Sequence, residues 1–308
     1  MEQTVTKIKK KISTMSWLSI VILSILIVYS IIFFTVMVWG FFTSVQSIRW
    51  FETYKNQVWP ESLLPWKWEF RNYYDVFMSF QLTTKVKTFF VQDMFLNSIL
   101  YAGIGAFLHA TVSCLMAYLV AKFKYKTSGI IYWLVIMTMT IPIVGSDISN
   151  IQLLDTLGLY DGFLGAWLLK FNFTGTYFLV FHATFARIPD DYAEAANIDG
   201  AGETTIFLRI IFPMVSSTFF TVFLLYLISL WNDYQVPLLY LPSHPTLSYG
   251  LQVLSRGTLQ ADETGGIDYG YIPYRLTSCF MVALPIMIVF LLFRKRIMNK
   301  LDMGGIKE

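Results

Sequence analysis

Residues 189–213 read PDDYAEAANIDGAGETTIFLRIIFP, and this polar, patterned stretch lies between two long apolar segments. Pro189 followed by two aspartates is typical of a helix start, because a carboxylate can accept hydrogen bonds from the unpaired amide groups of the first turn. We therefore predict a short helix over 192–197. Gly200 can take the left-handed backbone conformation without a Cβ clash, and it is predicted to end this helix.

A second helix is predicted directly after the turn, over 203–211. Its apolar face would consist of Ile206, Phe207, Ile210 and Ile211. Pro213 is expected to break this helix where the next apolar segment begins. Small residues at the turn permit close approach of another backbone. The sequence thus predicts a compact helix-turn-helix at a membrane surface.

The composition places the chain in a lipid bilayer. Of the 308 residues, 56% are hydrophobic and 14% are charged, with a mean hydropathy of +0.56, which excludes a soluble domain of ordinary composition. The net charge of +3 is scattered between apolar segments and forms no basic stripe, so no nucleic-acid partner is expected. Cys114 and Cys279 lie in apolar segments without a neighbouring His or acidic cluster, so we expect them to be apolar filler, with no disulfide and no metal site.

The fold class is predicted to be all-α, a polytopic membrane protein with six transmembrane helices. The predicted spans cover 17–42, 95–120, 129–145, 166–186, 214–230 and 274–293. The predicted domains are an N-terminal tail 1–16, the first transmembrane helix 17–42, an external segment 43–92, a transmembrane core 93–294 that contains the loop 188–213, and a C-terminal tail 295–308.

Basic residues predict the orientation of these spans. A lysine cluster at 7–11 precedes the first span, and most of the 23 Lys and Arg residues fall on segments that this arrangement places inside the cell. Both termini and the loop 188–213 are therefore predicted to be cytoplasmic. The first apolar segment is longer than a signal-peptide core and lacks a small-residue cleavage site, so we interpret it as a retained span.

Two features outside the loop have more than one interpretation. The aromatic residues of the external segment are typical of a membrane interface, but such rings also stack on sugars or meet a binding protein. They are Trp50, Trp59, Trp66, Trp68, Tyr73 and Tyr74. Lys170 lies near the outer end of the fourth span, and we expect it to snorkel to the interface in preference to contacting a substrate.

The sequence contains no catalytic pattern. His109, His182 and His244 are far apart in the predicted topology, and no Ser-His-Asp order or His-x-x-x-His spacing occurs. For the first two we expect a buried, packed role in preference to substrate contact. No glycine-rich loop ending in Gly-Lys-Ser/Thr is present, so the chain cannot hydrolyse ATP by the P-loop mechanism. It is predicted not to be an enzyme, and any ATP hydrolysis must come from a partner.

The spacing within the loop resembles the coupling loop of ABC importer permeases, whose pattern is Glu-Ala-Ala, three residues, Gly, nine residues, Ile, any residue, Leu, Pro. The chain has Glu194-Ala195-Ala196, Gly200, Ile210 and Pro213 at these intervals, with Phe212 in the leucine position. In that family the loop docks in a groove of a cytoplasmic ATPase and transmits its closing motion to the spans. The alternative is an amphipathic surface helix that happens to contain Glu-Ala-Ala. The ATPase-coupling residues implied by the resemblance are Glu194, Ala195, Ala196, Asp199, Gly200, Ala201, Ile210 and Pro213.

Further landmarks after residue 66 are similar to the sugar-type permeases, and in particular to the smaller, maltose-G-like subunit of the pair. They are 68–73, Phe95-x-Asn97-Ser98, Ala117-Tyr118, 137–142, Leu157-Gly158-Leu159, 231–234 and the tail 303–307. Two regions depart from the family pattern, namely His182-Ala183 in the fourth span and 171–176 before it. Substrate contacts in those two regions are therefore left open.

This resemblance implies that the chain is the membrane-spanning permease subunit of an ATP-driven, binding-protein-dependent importer. The implied substrate is a carbohydrate, in the first place an oligosaccharide. The implied partners are a second, maltose-F-like permease, a cytoplasmic ATPase dimer, an extracellular or periplasmic solute-binding protein and membrane lipid. ATP and Mg²⁺ would bind to the ATPase, and no cofactor to this chain. The implied location is the plasma (inner) membrane of a bacterium or archaeon. Within the family, a sugar-related solute such as a polyol phosphate is the alternative.

The end of the fifth span offers candidates for the substrate pathway, because sites for neutral sugars combine aromatic faces with amide and hydroxyl groups. The candidates are Trp231, Asn232, Asp233 and Tyr234, together with His182. A structural cap of the span explains the first four equally well.

Two other functional classes predict different sequences. A secondary transporter driven by an ion gradient would show repeated halves and ionisable residues near the bilayer midplane, but the centres of predicted spans one, two, five and six contain no charged residue. A membrane scaffold that transports nothing would not explain the spacing within the loop.

Overall fold

The computed structural model describes residues 16–54, 67–84, 87–123, 125–141, 145–256 and 270–301, with side chains up to Phe293 in the last helix. Several features discussed above lie outside the described residues. They are the lysine cluster at 7–11, Trp59, Trp66, Pro142 and the tail 302–308.

The described part of the chain is mostly helical. The first helices are α1 (Trp17–Ser44), α2 (Ile48–Thr53), α3 (Arg71–Ser79) and α4 (Val91–Lys122), which contains a π-helical turn at Leu100–Ile104. They are followed by α5 (Lys126–Thr140), α6 (Asp147–Thr156), α7 (Phe163–Leu169), α8 (Thr176–Ala186) and α9 (Asp191–Ile198). The last are α10 (Glu203–Asn232), α11 (Gln235–Tyr240), α12 (Leu247–Ser255) and α13 (Ile272–Leu301).

One short β-hairpin, which was not predicted, interrupts the otherwise mostly helical described chain. Strands β1 (Gln81–Thr83) and β2 (Thr88–Phe90) pair in antiparallel fashion, with Leu82 opposite Phe89, and both of these side chains are buried. Threonine and phenylalanine favour a strand at this place. The prediction missed the hairpin because strands of three residues are too short to show a hydrophobic period.

Within the described ranges, four helices are long and apolar enough to cross a membrane, namely α1, α4, α10 and α13. They coincide with the predicted first, second, fifth and sixth spans. The shorter apolar helices α5 and α8 lie at the predicted third and fourth spans. The total of six spans therefore stays a prediction.

The predicted fourth span, 166–186, is not a single helix. α7 ends at Leu169 and α8 begins at Thr176. Between them the chain passes through Gly175 at φ +147°, a backbone angle that favours glycine. The break, 170–175, reads KFNFTG and alternates polar with aromatic residues, and contacts of Lys170 hold it to α4 and to the end of α10.

Pro213 does not break a helix, which corrects a second prediction. α10 continues through Pro213, and a π-helical turn at Phe207–Ile211 precedes the proline. In this turn the amide of Phe212 donates to the carbonyl of Phe207, five residues back. The wider turn makes room for the proline ring, which in a regular α-helix clashes with the carbonyl four residues earlier. The predicted second helix of the loop and the fifth span are therefore one element.

The described residues form two compact units, one within 1–76 and 269–280 and the other within 77–268 and 281–308. A buried polar network closes the first unit. Asn72 donates through its side chain to the carbonyls of Ser44 and Gln46, at 2.9 Å each, and the hydroxyl of Thr277 donates to the carbonyl of Ser44 at 2.9 Å. These bonds join the end of α1 to α3 and to the start of α13.

Two of the predicted external aromatic residues belong to this first unit as packed groups. The ring of Trp68 lies edge-on to Phe41 and Phe42 of α1, with centroids 5.8 and 5.6 Å apart. The hydroxyl of Tyr73 lies 2.8 Å from that of Ser44. Both residues thus support the fold of the unit.

The second unit is built around α4, α8 and α10. Its core includes Ala110, Cys114 and Ala117 of α4, Phe178, Phe181 and Phe185 of α8, and Ile206, Ile211, Val215 and Phe219 of α10. Ala196 of α9 belongs to the same core. The region that contains the 189–213 segment is therefore packed on the long helices.

Candidate functional site

The 189–213 segment contains a turn of defined geometry. Gly200 has φ +81°, the left-handed conformation that the sequence predicts. The amide of Ala201 donates to the carbonyl of Ala196 at 2.9 Å, and the amide of Gly200 donates to that of Asn197 at 3.0 Å. These are the two bonds of a Schellman motif, which satisfies the last carbonyl groups of a helix. Backbone bonds of the chain itself therefore hold the turn.

α9 buries one edge and exposes the rest of its surface. Ala196 is only 7% exposed, whereas Glu194 and Ala195 are exposed. Ile198, the last residue of the helix, is 87% exposed, the highest value of any large apolar side chain among the described residues. Ile198 therefore places an uncovered apolar side chain directly beside the turn. The sequence prediction missed Ile198 because the predicted helix stopped at 197.

The first turns of α10 fasten the segment to the core. Ile206 and Ile211 are buried, and Ile210 is half-buried. The ring of Phe207 packs against that of Tyr118 in α4, with centroids 4.7 Å apart. The predicted apolar face is confirmed, and it faces α4 and α8.

The predicted coupling residues thus fall into two groups. Those packed against the core are Ala196, Ala201 and Ile210. Those exposed are Glu194, Ala195, Asp199, Gly200 and Pro213. Only the second group is open to contact by another protein.

A lysine from α4 reaches the start of the segment. Lys122 Nζ lies 2.7 Å from Asp190 Oδ1 and also donates to the carbonyl of Ile188. The Lys122 side chain is only 12% exposed. The carboxylate of Asp190 makes no capping bond with the first turn of α9, contrary to one of the two predicted caps. The prediction could not find this pair, because 68 residues separate the partners.

Asp233, directly after α10, is the centre of a second polar group. Its Oδ2 accepts from the hydroxyl of Tyr101 at 2.8 Å and from Lys170 Nζ at 3.3 Å. Its Oδ1 accepts from the amides of Gln235 and Val236, at 3.0 and 3.2 Å, which caps the start of α11. The side chains of the ion pair are 20% and 18% exposed. Lys170 therefore does not snorkel as expected; it forms a largely buried ion pair.

The neighbours of Asp233 differ in exposure. Trp231 is buried, its indole Nε1 donates to the carbonyl of Val282 at 3.1 Å, and its own carbonyl accepts from the hydroxyl of Ser248. Asn232 is exposed and Tyr234 is half-buried. The span-cap interpretation therefore suits Trp231, while the other two side chains are accessible.

An aromatic group lies beside the ion pair. His109 and Tyr226 are stacked with ring centroids 3.9 Å apart, and Tyr177 packs edge-on against them at 5.9 and 5.8 Å. His109 Nδ1 lies 3.2 Å from the carbonyl of Lys170. The expected packed role of His109 is confirmed. Because Lys170 follows α7 and Tyr177 belongs to α8, these contacts tie both sides of the break to α4 and α10.

His182 lies apart from this region. Its ring packs near Tyr132 of α5 at 4.8 Å and near Phe178 of α8 at 6.0 Å. Among the contacts of the described residues, none joins it to 231–234. The structure therefore does not bring together all five residues predicted for the substrate pathway.

A family model covers both ion pairs and the 189–213 segment. It describes a binding-protein-dependent transport system inner membrane component and matches residues 109–302, more than half of the chain. The chain belongs to this family. The resemblance of this permease to ABC importer permeases, first suggested by the spacing within the loop, is thereby confirmed at the level of the family.

Several permeases are related to it in sequence. It is 25% identical over 284 residues to the diacetylchitobiose uptake system permease protein NgcG of Streptomyces coelicolor, which covers 91% of this chain and 86% of that protein. It is 32% identical over 147 residues to the sn-glycerol-3-phosphate transport system permease protein UgpE of Yersinia pestis, covering 47% of this chain and 52% of that protein. A probable ABC transporter permease protein of Mycoplasma genitalium is 37% identical over 120 residues, 39% of this chain and 38% of that protein. The chain therefore aligns with 52% of the length of UgpE and with 38% of the length of the Mycoplasma protein.

The fold of the permease is similar to that of one solved chain. This chain comes from a bacterial ABC transporter involved in the import of the acidic polysaccharide alginate. The TM-score is 0.72, and the match covers 90% of this permease and 95% of that chain at 19% identity. At that identity the likeness concerns the fold alone.

Both polar groups of the permease link elements that are distant in sequence. Lys122 with Asp190 joins α4 to the start of α9, and Lys170 with Asp233 joins the break after α7 to the end of α10. Among the described residues, no cluster of three or more His, Cys, Asp or Glu side chains is placed to hold a metal ion. The two groups therefore connect packed helices and present hydrogen-bonding side chains.

Proposed function

We propose that this permease is the membrane-spanning subunit of an ATP-driven, binding-protein-dependent importer for a carbohydrate. It would form the pathway with a second permease, receive its solute from an external binding protein and be driven by a cytoplasmic ATPase dimer that binds ATP and Mg²⁺. The observation that carries this proposal is the 189–213 segment, in which a turn closed by backbone hydrogen bonds lies on a buried base and Ile198 projects from it. Membership of the family supports the importer class.

The exposed side of α9 would dock on the ATPase. Ile198 would enter an apolar groove, with Glu194 and Asp199 at the polar rim, an arrangement that resembles other helix-in-groove contacts. Closure of the ATPase dimer on ATP binding would then displace α9. Because Ala196 and the first turns of α10 are packed on the long helices, the displacement would move those helices between inward-facing and outward-facing states.

A neutral carbohydrate suits the end of α10 better than a phosphate ester does. The side chains of Asn232 and Tyr234 are accessible there and offer amide, hydroxyl and aromatic groups. A phosphate would require an unpaired cation, but Lys170 at this place is already paired with Asp233 at 3.3 Å. The relative named for diacetylchitobiose, which aligns over 91% of the chain, also favours the carbohydrate, whereas the shorter match to the glycerol-phosphate permease favours the alternative.

Co-purification tests the proposal. Tagged permease extracted in mild detergent with ATP and vanadate is expected to retain a second permease, an ATPase and a binding protein. Ile198→Ser should lower the recovered ATPase about tenfold, equivalent to roughly 1.4 kcal/mol, because the contact loses its apolar anchor. Ile148→Ser is the matched control, since Ile148 is also an exposed isoleucine, at 71%, but belongs to α6. Permease recovered without an ATPase would contradict the proposal.

The same preparation distinguishes the two solutes. The ligand extracted from the captured binding protein is expected to be a carbohydrate, which mass spectrometry can identify. Recovery of sn-glycerol 3-phosphate would instead support the polyol-phosphate alternative and leave the importer class standing.

A further inference from the structure

We propose that Lys122 is a positioning residue for coupling. Its contacts with Ile188 and Asp190 connect the N-terminal end of α9 to α4. A displacement of α9 would therefore directly displace α4, a membrane helix. This inference rests on the proposed function, because it assumes that an ATPase moves α9.

Three elements meet at the ammonium group of Lys122. The residue itself ends α4, Ile188 follows the end of α8, and Asp190 directly precedes α9. The carbonyl of Ile188, two residues beyond the last residue of α8, accepts from the ammonium group, and the carboxylate of Asp190 supplies the opposite charge. With only 12% of its side chain exposed, Lys122 is held by these two oxygens more than by water. These contacts of Lys122 with Ile188 and Asp190, called the Lys122 joint below, are therefore part of the packed structure.

The joint complements the contacts at the other end of α9. At the C-terminal end, Ala201 bonds to Ala196 and both pack in the core. Between the ends, the helix packs through the small side chains of Ala193 and Ala196, which bury little area. A helix held at one end by small side chains alone could tilt. With Lys122 at the other end, α9 moves together with α4.

The surroundings of Lys122 allow its charge to be removed without loss of packing. Tyr118 lies one helical turn earlier on the same face of α4, and its ring packs on Phe207 and Phe185, with centroids 4.7 and 5.4 Å apart. These contacts do not involve the ammonium group. Methionine has a similar flexible, apolar stem, so Lys122→Met is expected to fold and to lose only the polar joint.

The experiment measures whether ATP still changes the accessibility of residue 232, at the end of α10 that is remote from α9. In the complex carrying Cys279→Ala, Asn232→Cys is labelled with a maleimide in the presence and absence of Mg-ATP and vanadate. In the complex that retains Lys122, the labelling rate with Mg-ATP and vanadate should differ clearly from the rate without them. Lys122→Met should reduce the ATP-dependent change about fivefold or more, the usual size of a coupling between sites, while ATPase recovery and ATP hydrolysis persist. Lys122→Arg should restore the change.

The control is a lysine from another ion pair of the same chain. Lys87 lies 3.6 Å from Asp93, and its side chain is 54% exposed, against 12% for Lys122. Lys87→Met should leave the labelling ratio unchanged. A wild-type ratio in Lys122→Met, or an equal loss in Lys87→Met, would overturn the inference.

Two further outcomes are informative. If Lys122→Met does not assemble, Asp190→Asn removes the same ion pair from its half-exposed side and should give the same loss of the ATP response with ATPase recovery intact. An unchanged response in Asp190→Asn would then refute the inference. A wild-type complex that recovers no ATPase, or shows no ATP response, would refute the proposed function itself.

Discussion

At the scale of single residues, Gly200 can be required for its backbone angle or for the open space around it, and the sequence pattern does not distinguish the two. Its φ of +81° is needed for the turn after α9, and L-residues adopt such an angle only at a cost. The space around it is a different matter, because apart from its two chain neighbours no atom of the described chain would lie within 4 Å of a Cβ at this position. Bulk at Gly200 therefore meets only a partner, whereas backbone strain acts within the permease itself.

Substitutions at Gly200 should distinguish these two effects. Gly200→Val is expected to cost about 1–2 kcal/mol through backbone strain, and Gly200→Asn much less, since asparagine tolerates the left-handed region. Both should lower ATPase recovery, because each adds a side chain to the open surface. The measurements are the thermal unfolding midpoint of the purified permease and the amount of ATPase that it retains.

Gly202 offers the matched control for Gly200. It has φ −75° and equally open surroundings, so Gly202→Val should not strain the turn. Equal unfolding midpoints for the two valine variants would contradict the role assigned to the left-handed turn. Full ATPase recovery by Gly200→Asn would show that the partner does not approach Gly200.

At the scale of elements, α6 and α7 are joined by a turn that only a small residue can pack against. The amide of Leu159 donates to the carbonyl of Leu154 at 2.8 Å, which folds the chain back on α6. A Cβ added to Gly165 in α7 would lie 2.2 Å from the carbonyl oxygen of Leu159. This neighbour is backbone and cannot rotate away. The start of α7, and with it the break after α7, is thus positioned by Gly165.

Gly165→Ala is therefore expected to destabilise the permease by about 1–3 kcal/mol, the range for overpacking. Gly129→Ala is the matched control in α5, where no described atom outside its own stretch of helix would lie within 4 Å of the new Cβ and alanine favours the helix by about 1 kcal/mol. Thermal unfolding in detergent should move the two midpoints in opposite directions. An unchanged midpoint for Gly165→Ala would show that the turn can relax away from α7.

At the scale of the whole molecule, the folded chain leaves much apolar surface uncovered. None of the most apolar stretch of α1 is buried by the described part of the chain, although it is the most hydrophobic of the four long helices. Such a surface requires lipid or another membrane helix around it. The stability of this fold therefore depends on a surrounding bilayer, or on another membrane helix packed against α1.

The topology predicts which side of the membrane each polar group faces. With Cys114 and Cys279 replaced by alanine, Asn197→Cys should react with an impermeant maleimide in inside-out vesicles and not in intact cells. Asn232→Cys, at the opposite end of α10, should show the reverse pattern. Both side chains are exposed in the permease, so the side of the membrane decides whether an impermeant reagent can reach them at all. Labelling of Asn197→Cys from outside intact cells would contradict the coupling role of the 189–213 segment.

The sequence alone determined the properties that depend on composition and on neighbours along the chain. The high hydropathy predicted a membrane protein, the glycine after a short polar helix predicted the left-handed turn at Gly200, and the spacing of Ile206 and Ile211 predicted the buried face of α10. These features were predictable because backbone sterics and hydrophobic periodicity act within a few residues. The same local information located the 189–213 segment.

Only the tertiary structure decided which side chains meet. It paired Lys122 with Asp190 and Lys170 with Asp233, partners that are 68 and 63 residues apart. It also left Ile198 exposed and kept α10 continuous through Pro213. The physical reason is that ion pairs, exposure and tolerance of a proline depend on what the rest of the fold brings alongside, and no local pattern carries that information.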